Sequence, residues 1–297
     1  MHLIRGLQDK LARISMLALA LFAGLLVFLM AFGLFLRSRP ILDSIPLMEL
    51  LLSSSWHPLK GEFGLFPFLT GTVWVTGVSI VIAVPFSLLC AMYLAEYAPV
   101  SIREWVKPLV DLLAGIPSVV YGICGVLIII PLIKDHLAPL FGSFSTGYSV
   151  LAGGVVLAVM VFPIIIHVCL EVFASVPYEV REASLALGAT RWQTTKKVVL
   201  RKAMPGILAA FVLGLSRAFG ETMAVLMVAG NVARVPRSLL DPAYPLPALI
   251  ANNYGEMMSV PLYDSALLLA SLLLLVVVLF FNVLSRLVLI RIERGIQ

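Results

Sequence analysis

Two ionisable side chains of opposite charge, Arg217 and Glu221, stand in an otherwise uncharged stretch, Gly214-Leu-Ser-Arg-Ala-Phe-Gly-Glu-Thr222. If this stretch is helical, their spacing of four residues places both on one face. An arginine there presents a planar fork of donors that suits an oxyanion, and the glutamate would hold the arginine or compete for it. The alternative is an ion pair that only lowers its own burial cost, although Arg before Glu is the less favourable order for such a pair.

This stretch lies inside the fifth of six long apolar runs. The 297 residues are 61% hydrophobic and 12% charged, with a mean hydropathy of +1.06, whereas soluble domains contain about 25% charged residues. Each run reaches the roughly 20 residues of a membrane-spanning helix and exceeds the roughly 10 of a barrel strand. The sequence therefore predicts an all-α, polytopic membrane protein with six transmembrane helices. The predicted spans are Ser15–Leu36, Thr70–Ala95, Leu109–Ile133, Tyr148–Leu170, Pro205–Gly230 and Ser265–Leu284.

The depth of Arg217 and Glu221 favours a functional role. A charge at the centre of a span costs at least about 2.5 kcal/mol on insertion scales, so ionisable groups there usually face protein or a water-filled path. We therefore predict that this pair lines a path for an oxyanion.

The formal charge of +5 is distributed as a membrane topology signal rather than as a nucleic-acid surface. With the N-terminus inside, the inner segments carry three, two, six and three Lys or Arg, against six on the opposite side. This asymmetry predicts that both termini are cytoplasmic and that the basic residues contact anionic lipid.

The chain divides into a predicted accessory unit, residues 1–69 with one span and an outer loop, and a five-span core, residues 70–297. Gly and Pro interrupt several core spans, which is common in membrane helices. Gly115-Ile-Pro117-Ser118 combines a flexible point with a kink inside one span. It is predicted either to line a pathway or to act as a hinge.

A charged segment between the fourth and fifth spans, residues 174–204, is here called the coupling loop. It contains Glu182-Ala-Ser-Leu-Ala-Leu-Gly-Ala189, which is small and apolar at its turn and has a glycine where two helices could meet. A basic run, Arg191 to Lys202, follows. Such a segment on the cytoplasmic side can dock into a groove on a soluble protein.

The sequence argues against several other chemistries for this chain. The chain has no Gly-Lys dipeptide and hence no phosphate-binding loop of the G-x-x-x-x-G-K type, and its four histidines lack metal-ligand spacing. A G-x-S-x-G elbow fails at Ala218, although Ser216 with His167 could still form an intramembrane protease dyad. We rate that hydrolase, and a passive channel, below transport.

The motifs resemble those of the permease subunits of phosphate-specific ABC importers, the PstC type more than the PstA type, over most of the chain. Glu182 to Ala189 with Thr190-Arg-Trp-Gln-Thr is similar to the ABC coupling loop. The substrate is indicated by the third- and fifth-span motifs together, and the stretch before the second span also resembles that of the family. These are Ala114-Gly-Ile-Pro-Ser-Val-Val-Tyr-Gly122, Ser216-Arg-Ala-Phe-Gly-Glu-Thr-Met-Ala-Val225 with Gly230-Asn231, and Trp56-His-Pro-Leu-Lys-Gly-Glu-Phe-Gly64 with Pro67.

The resemblance implies a type I ABC importer permease fold in the bacterial inner membrane. It implies a PstA-like permease partner, a dimer of ATP-binding subunits that binds ATP and Mg, and a periplasmic phosphate-binding protein. This chain would be no enzyme and would bind no cofactor or metal itself. The implied pathway residues are Arg217, Glu221, Thr222 and Ser118, and the residues coupled to the ATPase are Glu182, Ala183, Leu185, Gly188 and Ala189.

One position departs from the family pattern, and the substrate stays open. Arg201 follows Val198-Val199-Leu200 where the family usually has proline, and Pro205 comes four residues later. The exit from the coupling loop is therefore not defined by the resemblance. The same architecture could also carry tungstate, molybdate or sulfate.

Overall fold

The computed structural model describes the backbone of residues 2–256 and 259–296, and the side chains of 10–256, 259–284, 286–287 and 290. It is helical apart from loops and one short hairpin. The helices in chain order are α1 His2–Ser44, α2 Leu47–Leu52, α3 Phe66–Glu96, α4 Val100–Gly115, α5 Ser118–Leu140, α6 Val150–Ser175, α7 Tyr178–Ala186, α8 Arg191–Gly220, α9 Met223–Val228, α10 Leu246–Asn253 and α11 Tyr263–Ile296.

Helices α5 and α8 each contain wider, π-type turns without losing continuity. These turns are Gly125–Ile129 and Ile133–Leu137 in α5, and Thr195–Val199 in α8. The hairpin pairs β1 (Trp56–His57) with β2 (Glu62–Phe63) in antiparallel register around a 3-10 turn. The ring of Trp56 packs edge-on against Phe63 and Phe68, which fixes the hairpin on the start of α3.

Six helices of the described residues are long and apolar enough to cross a membrane, which confirms the predicted fold class. They are α3, α5, α6, α8, and the described apolar parts of α1 and α11, Lys10–Ser44 and Tyr263–Leu284. Helix α1 runs beyond its predicted end at Leu36 and continues past Pro40 to Ser44.

Small residues set the packing of the core. A Cβ on Gly153 would lie 3.1 Å from Val75, and one on Gly154 would lie 2.4 Å from Val78. Helices α3 and α6 can therefore approach closely along their length. Farther along α6, the same argument holds for Gly214 of α8, whose Cβ would lie 2.8 Å from Ile165. Helices α3, α6 and α8 thus form one packed body.

The third span differs from its predicted bounds of Leu109–Ile133. Helix α4 ends at Gly115, Ile116 is extended (φ −68°, ψ 130°), and α5 begins at Ser118. Proline lacks an N–H and disfavours helical backbone at the residue before it, so Pro117 separates the two segments. The predicted kink is a complete break in the helix.

The fifth span also differs from its prediction. Helix α8 starts at Arg191, far before the predicted Pro205, and ends at Gly220 rather than Gly230. Glu221 is extended (φ −74°, ψ 125°), so Arg217 and Glu221 do not share a helical face, and that prediction was wrong. The exit from the coupling loop is helical through Arg201 and Pro205.

Candidate functional site

Two broken helices meet beside Arg217. Helix α5 starts after the break at Pro117, and the short helix α9 starts after the break at Glu221. They pack at Gly122, where a Cβ would lie 2.6 Å from the sulfur of Met227 and 3.3 Å from the Cα of Ala224. Broken helices at membrane depth normally face protein or a cavity rather than lipid, because the break leaves backbone groups without helical partners.

Arg217 lies in the last turn of α8, and its residue is exposed. A cation there is favourable because the C-terminal end of a helix carries partial negative charge. Across the interface, the buried Tyr121 of α5 lies within Coulombic reach of the Arg217 guanidinium. Ser118 is one turn before Tyr121, so the structure brings its segment to the neighbourhood of Arg217.

Tyr121 is a site residue that the sequence reasoning missed. Its hydroxyl donates to the carbonyl oxygen of Leu113 at 2.7 Å. This bond crosses the break at Ile116-Pro117 and connects α4 to α5. The motif around Ser118 contains Tyr121, but its hydroxyl could be placed only once the break was known.

Glu221 has a local role that its spacing did not predict. Its carboxylate accepts the backbone N–H of Ala224 at 3.3 Å, in the first turn of α9. Thr222 is the N-cap residue of α9, and its hydroxyl donates to the carbonyl oxygen of Gly220 at 3.3 Å. The side chains of these two residues thus provide hydrogen-bond partners for some of the backbone groups that the break between α8 and α9 leaves free.

The self-neutralising pair expected as the alternative is not formed. The ion pairs found among the described side chains involve His167 with Asp111 and Glu171, and Arg181 with Glu96. None of them joins Arg217 to Glu221. No ion pair among the described side chains therefore engages the guanidinium of Arg217, which leaves its forked donors available to an anion.

The hydrolase alternative fails on geometry. The hydroxyl of Ser216 lies 2.6 Å from Oδ1 of Asn282 and 2.9 Å from the carbonyl oxygen of Val212. His167 lies instead between Asp111 (3.7 Å) and Glu171 (3.4 Å). Ser216 therefore ties α8 to α11, and the imidazole that a dyad would need is engaged elsewhere.

The coupling loop folds as a helix, a tight turn and the start of a second helix. Gly188 has φ +83°, and its N–H donates to the carbonyl of Leu185 (2.9 Å), while the N–H of Ala189 donates to that of Ser184 (3.3 Å). This pair of bonds is the Schellman ending, which favours glycine at the left-handed position. The predicted meeting of two helices at this glycine is confirmed.

The second helix of the coupling loop is also capped. Thr190 and Gln193 form a reciprocal capping box at the start of α8. The hydroxyls of Ser184 and Thr194 lie 2.9 Å apart and join α7 to α8. The loop therefore holds its own shape.

The surface of the coupling loop is apolar at its tip. Of the predicted docking residues, Glu182, Ala183, Leu185 and Gly188 are exposed and Ala189 is half-buried. Leu187, which the sequence reasoning did not select, is 89% exposed at the turn itself. A large apolar side chain presented on a rigid turn suits a groove on another protein. Its place beside Gly188 was the available signal.

The fold and the site together define a helical membrane transport subunit, with broken helices around an arginine and a rigid loop that presents an apolar tip. The sequence pattern of the binding-protein-dependent transport system inner membrane component matches residues 83–294, and the chain belongs to this family.

Curated relatives agree with the family. The chain is 37% identical over 256 residues to the phosphate transport system permease protein PstC of Xylella fastidiosa, covering 82% of this chain and 78% of that protein. It is 33% identical over 302 residues to PstC of Mesorhizobium japonicum, covering 97% and 92%. It is 41% identical over 218 residues to the probable ABC transporter permease protein YqgH of Bacillus subtilis, covering 73% and 69%.

Solved structures agree in fold. A bacterial alginate ABC transporter superimposes with a TM-score of 0.56 at 18% identity, over 89% of this chain and 92% of that one. The MetNI methionine ABC transporter superimposes with a TM-score of 0.53 at 21% identity, over 77% and 94%. The chain thus has the predicted ABC importer permease fold. It is a multi-pass, non-enzymatic transport component, and its partners include an ATPase and a substrate-binding protein.

Proposed function

We propose that this chain is the permease subunit of an ATP-driven phosphate importer and forms half of its translocation pathway. The observation that carries the proposal is the continuity of α8, which begins in the coupling loop at Arg191 and ends next to Arg217. Relatives named as phosphate transport permeases support the substrate. Because one helix joins the loop to the arginine, movement of the loop changes the surroundings of the arginine.

The proposed pathway centres on Arg217. Its guanidinium donates to the oxygens of phosphate in transit, the hydroxyl of Ser118 adds a donor from the start of α5, and Thr222 lines the pathway at the start of α9. Glu221 keeps the anion from being held too tightly. Selection by a binding protein means that this site needs only moderate affinity, since conduction requires a substrate that can leave.

The coupling loop receives the motion of the ATPase. Leu187 and Leu185 sit in a groove of that subunit, with Glu182, Ala183, Gly188 and Ala189 around them. Closure of two ATPase subunits then displaces α7 and the start of α8. The pathway alternates between an outward-facing state that receives phosphate and an inward-facing state that releases it.

The proposed assembly contains this chain, a PstA-like permease, two ATP-binding subunits that hold ATP and Mg, and a periplasmic phosphate-binding protein. It lies in the bacterial cytoplasmic membrane with both termini and the coupling loop in the cytoplasm. The excess of Lys and Arg in the segments on that side supports this orientation. In this proposal the chain itself needs no cofactor.

The deciding experiment is ATPase activity of the reconstituted assembly with its binding protein, with phosphate, sulfate, molybdate or tungstate supplied in turn. We expect stimulation by phosphate alone. Stimulation by another oxyanion would retain the architecture and overturn the substrate. The absence of any stimulation would mean that the coupling loop has no docking role and is only a solvated turn.

A further inference from the structure

Three arginines converge on the end of α3. Arg103 of α4 donates to the carbonyls of Leu94 (2.9 Å) and Ala95 (2.7 Å), and Arg191 of α8 donates to that of Glu96 (2.6 Å). The last carbonyls of a helix have no helical partners and attract cations. The end of α3 is therefore tied both to α4 and to the coupling loop.

Arg181 of α7 completes this cluster. It holds the carboxylate of Glu96 with two nitrogens, Nη2 at 2.7 Å and Nε at 3.2 Å. Its Nη2 also donates to the carbonyl of Phe173 at 2.9 Å, and its Nη1 donates to that of Val176, both at the end of α6. One side chain of the coupling loop thus connects the ends of α3 and α6.

This pair is shielded from solvent, in contrast to the other ion pairs of the described side chains. The Arg181 side chain is 16% exposed and that of Glu96 is 9% exposed, against 59% or more for the residues around His167. Surface ion pairs contribute little, but a shielded, forked pair with further carbonyl acceptors is strong and sets a geometry. We call Glu96, Arg181 and Arg191 the clamp.

Helix α7 has no apolar packing of its own to replace the clamp, since none of its residues is buried. A cavity of about 420 Å³ lies between α7 and the ends of the spans, and the clamp residues line it together with Arg103, Lys107 and Tyr178. The close packing of α3 on α6 at Gly153 and Gly154 lies elsewhere and does not involve Arg181. The body of spans therefore has apolar packing of its own, which extends to Val199 and Ala203 of the loop, whereas α7 is held to that body by the polar contacts of Arg181.

We infer that Arg181 is a positioning residue that makes the coupling loop move as one piece with the ends of α3 and α6. A displacement of the loop then reaches the pathway by two routes. One route is the continuous helix α8, and the other is the α3 and α6 pair on which α8 packs. The inference rests on the proposed function, because it assigns a role in coupling.

The first measurement needs no transported substrate. Cys90, Cys124 and Cys169 are replaced by Ala, and spin labels are attached at Tyr93→Cys on α3 and Glu179→Cys on α7, both exposed positions. Distances are recorded in the assembly with and without trapped ATP. We expect the distance to keep its value with Arg181 present, and to shift or broaden on ATP binding in Arg181→Gln. A distance that stays constant in Arg181→Gln would overturn the inference.

The second measurement is the amount of phosphate moved per ATP hydrolysed. Arg181→Gln should lower this ratio by about tenfold while ATP hydrolysis continues, since the variant loses the charged fork that holds Glu96. Arg181→Lys should be intermediate because it keeps the charge but loses the fork. Arg201→Gln, an exposed residue of the same loop, is the matched control and should match the wild-type ratio. A normal ratio in Arg181→Gln would contradict the inference.

The two measurements separate the clamp from the substrate assignment. If the spin-label distances behave as expected but phosphate stimulates nothing in the wild-type assembly, the phosphate assignment fails and the clamp stands. If Arg181→Gln does not assemble, Glu96→Gln keeps an acceptor for Arg181 while removing the charge, and the same comparison is made with it.

Discussion

Arg191 and Arg217 lie at the two ends of one continuous helix. The helix spans the 30 residues Arg191–Gly220, which at 1.5 Å per residue is a length of about 45 Å. Arg191, which belongs to the coupling loop, donates to a carbonyl at the end of α3. Arg217 lies in the last turn of α8, beside the broken helices. The wider turn at Thr195–Val199 is the one irregular segment between them and lies within the coupling loop. A rigid rod of this kind moves its far end when its near end is displaced.

Arg217→Gln should abolish transport and leave assembly intact. The change removes a guanidinium that donates to no protein group among the described residues, so the fold loses little, whereas the anion loses a forked, charged donor. Loss of one charged hydrogen bond of about 1.5–3 kcal/mol corresponds to about a 10- to 100-fold lower phosphate uptake. Uptake of radiolabelled phosphate checks this, with co-purification of the ATPase as the test of assembly.

The control for Arg217 is Arg217→Lys, which keeps the charge and loses the planar fork. We expect it to retain part of the uptake. Wild-type uptake by Arg217→Gln would remove Arg217 from the pathway.

Gly188→Leu should uncouple ATP hydrolysis from transport. A leucine finds open space at this position, so the penalty comes from the backbone, where φ of +83° costs an L-residue about 1–2 kcal/mol. The Schellman ending then rearranges and moves Leu187 away from its groove. ATPase activity and phosphate uptake, measured on the same vesicles, should diverge in this variant.

Gly142→Leu is the matched control for Gly188. It also has positive φ (+61°) and open space around a Cβ, but it lies in the loop after α5 rather than in the coupling loop. It should carry the same local strain without uncoupling. Tight coupling in Gly188→Leu would contradict the docking role of the turn.

Gly122→Ala should disturb the contact of α5 with α9. The new Cβ would meet Met227 at 2.6 Å and the backbone of Ala224 at 3.3 Å. Overpacking of this kind costs about 1–3 kcal/mol, and here it would push apart the two helices beside Arg217. Phosphate uptake should fall, and thermal unfolding of the purified assembly should occur at a lower temperature.

A second substitution tests whether the effect of Gly122→Ala comes from the clash with Met227. Met227→Ala removes the flexible part of the clash, so the double variant should recover part of the uptake. Gly77→Ala in α3 is the control, because a Cβ there meets nothing within 4 Å. If Gly77→Ala and Gly122→Ala behave alike, the contact between α5 and α9 has no special role.

The sequence predicted the number and type of spans well because hydrophobicity over about 20 residues is a strong signal. It predicted Gly188 as a meeting point of two helices because the reason is local. It failed at Glu221, where a four-residue spacing was taken as one helical face. The break there depends on the carboxylate bonding to Ala224 and on packing against α5, and a single spacing contains neither.

Long-range contacts also could not be predicted from the sequence. Glu96 and Arg181 are 85 positions apart, and nothing in either local pattern identifies the other as its partner. Arg181 immediately precedes the coupling-loop motif, so its place on α7 could be predicted, but its acceptors could not. Leu187, by contrast, could have been selected from its place beside Gly188, where the chain turns and leaves it exposed.

Glu221 has two proposed roles, as a cap of α9 and as a charge beside the anion, and a single substitution can distinguish them. As a cap of α9, its side chain needs an acceptor for the N–H of Ala224, which glutamine also supplies. As a charge that limits the hold of Arg217 on the anion, it needs ionisation, which glutamine lacks. Glu221→Gln should therefore leave thermal stability unchanged and slow phosphate release, which lowers the maximal uptake rate together with the phosphate concentration at half-maximal uptake. Glu221→Ala should also lose about 1 kcal/mol of stability, because the cap is gone. Equal kinetics in wild type and Glu221→Gln would assign Glu221 to the cap alone.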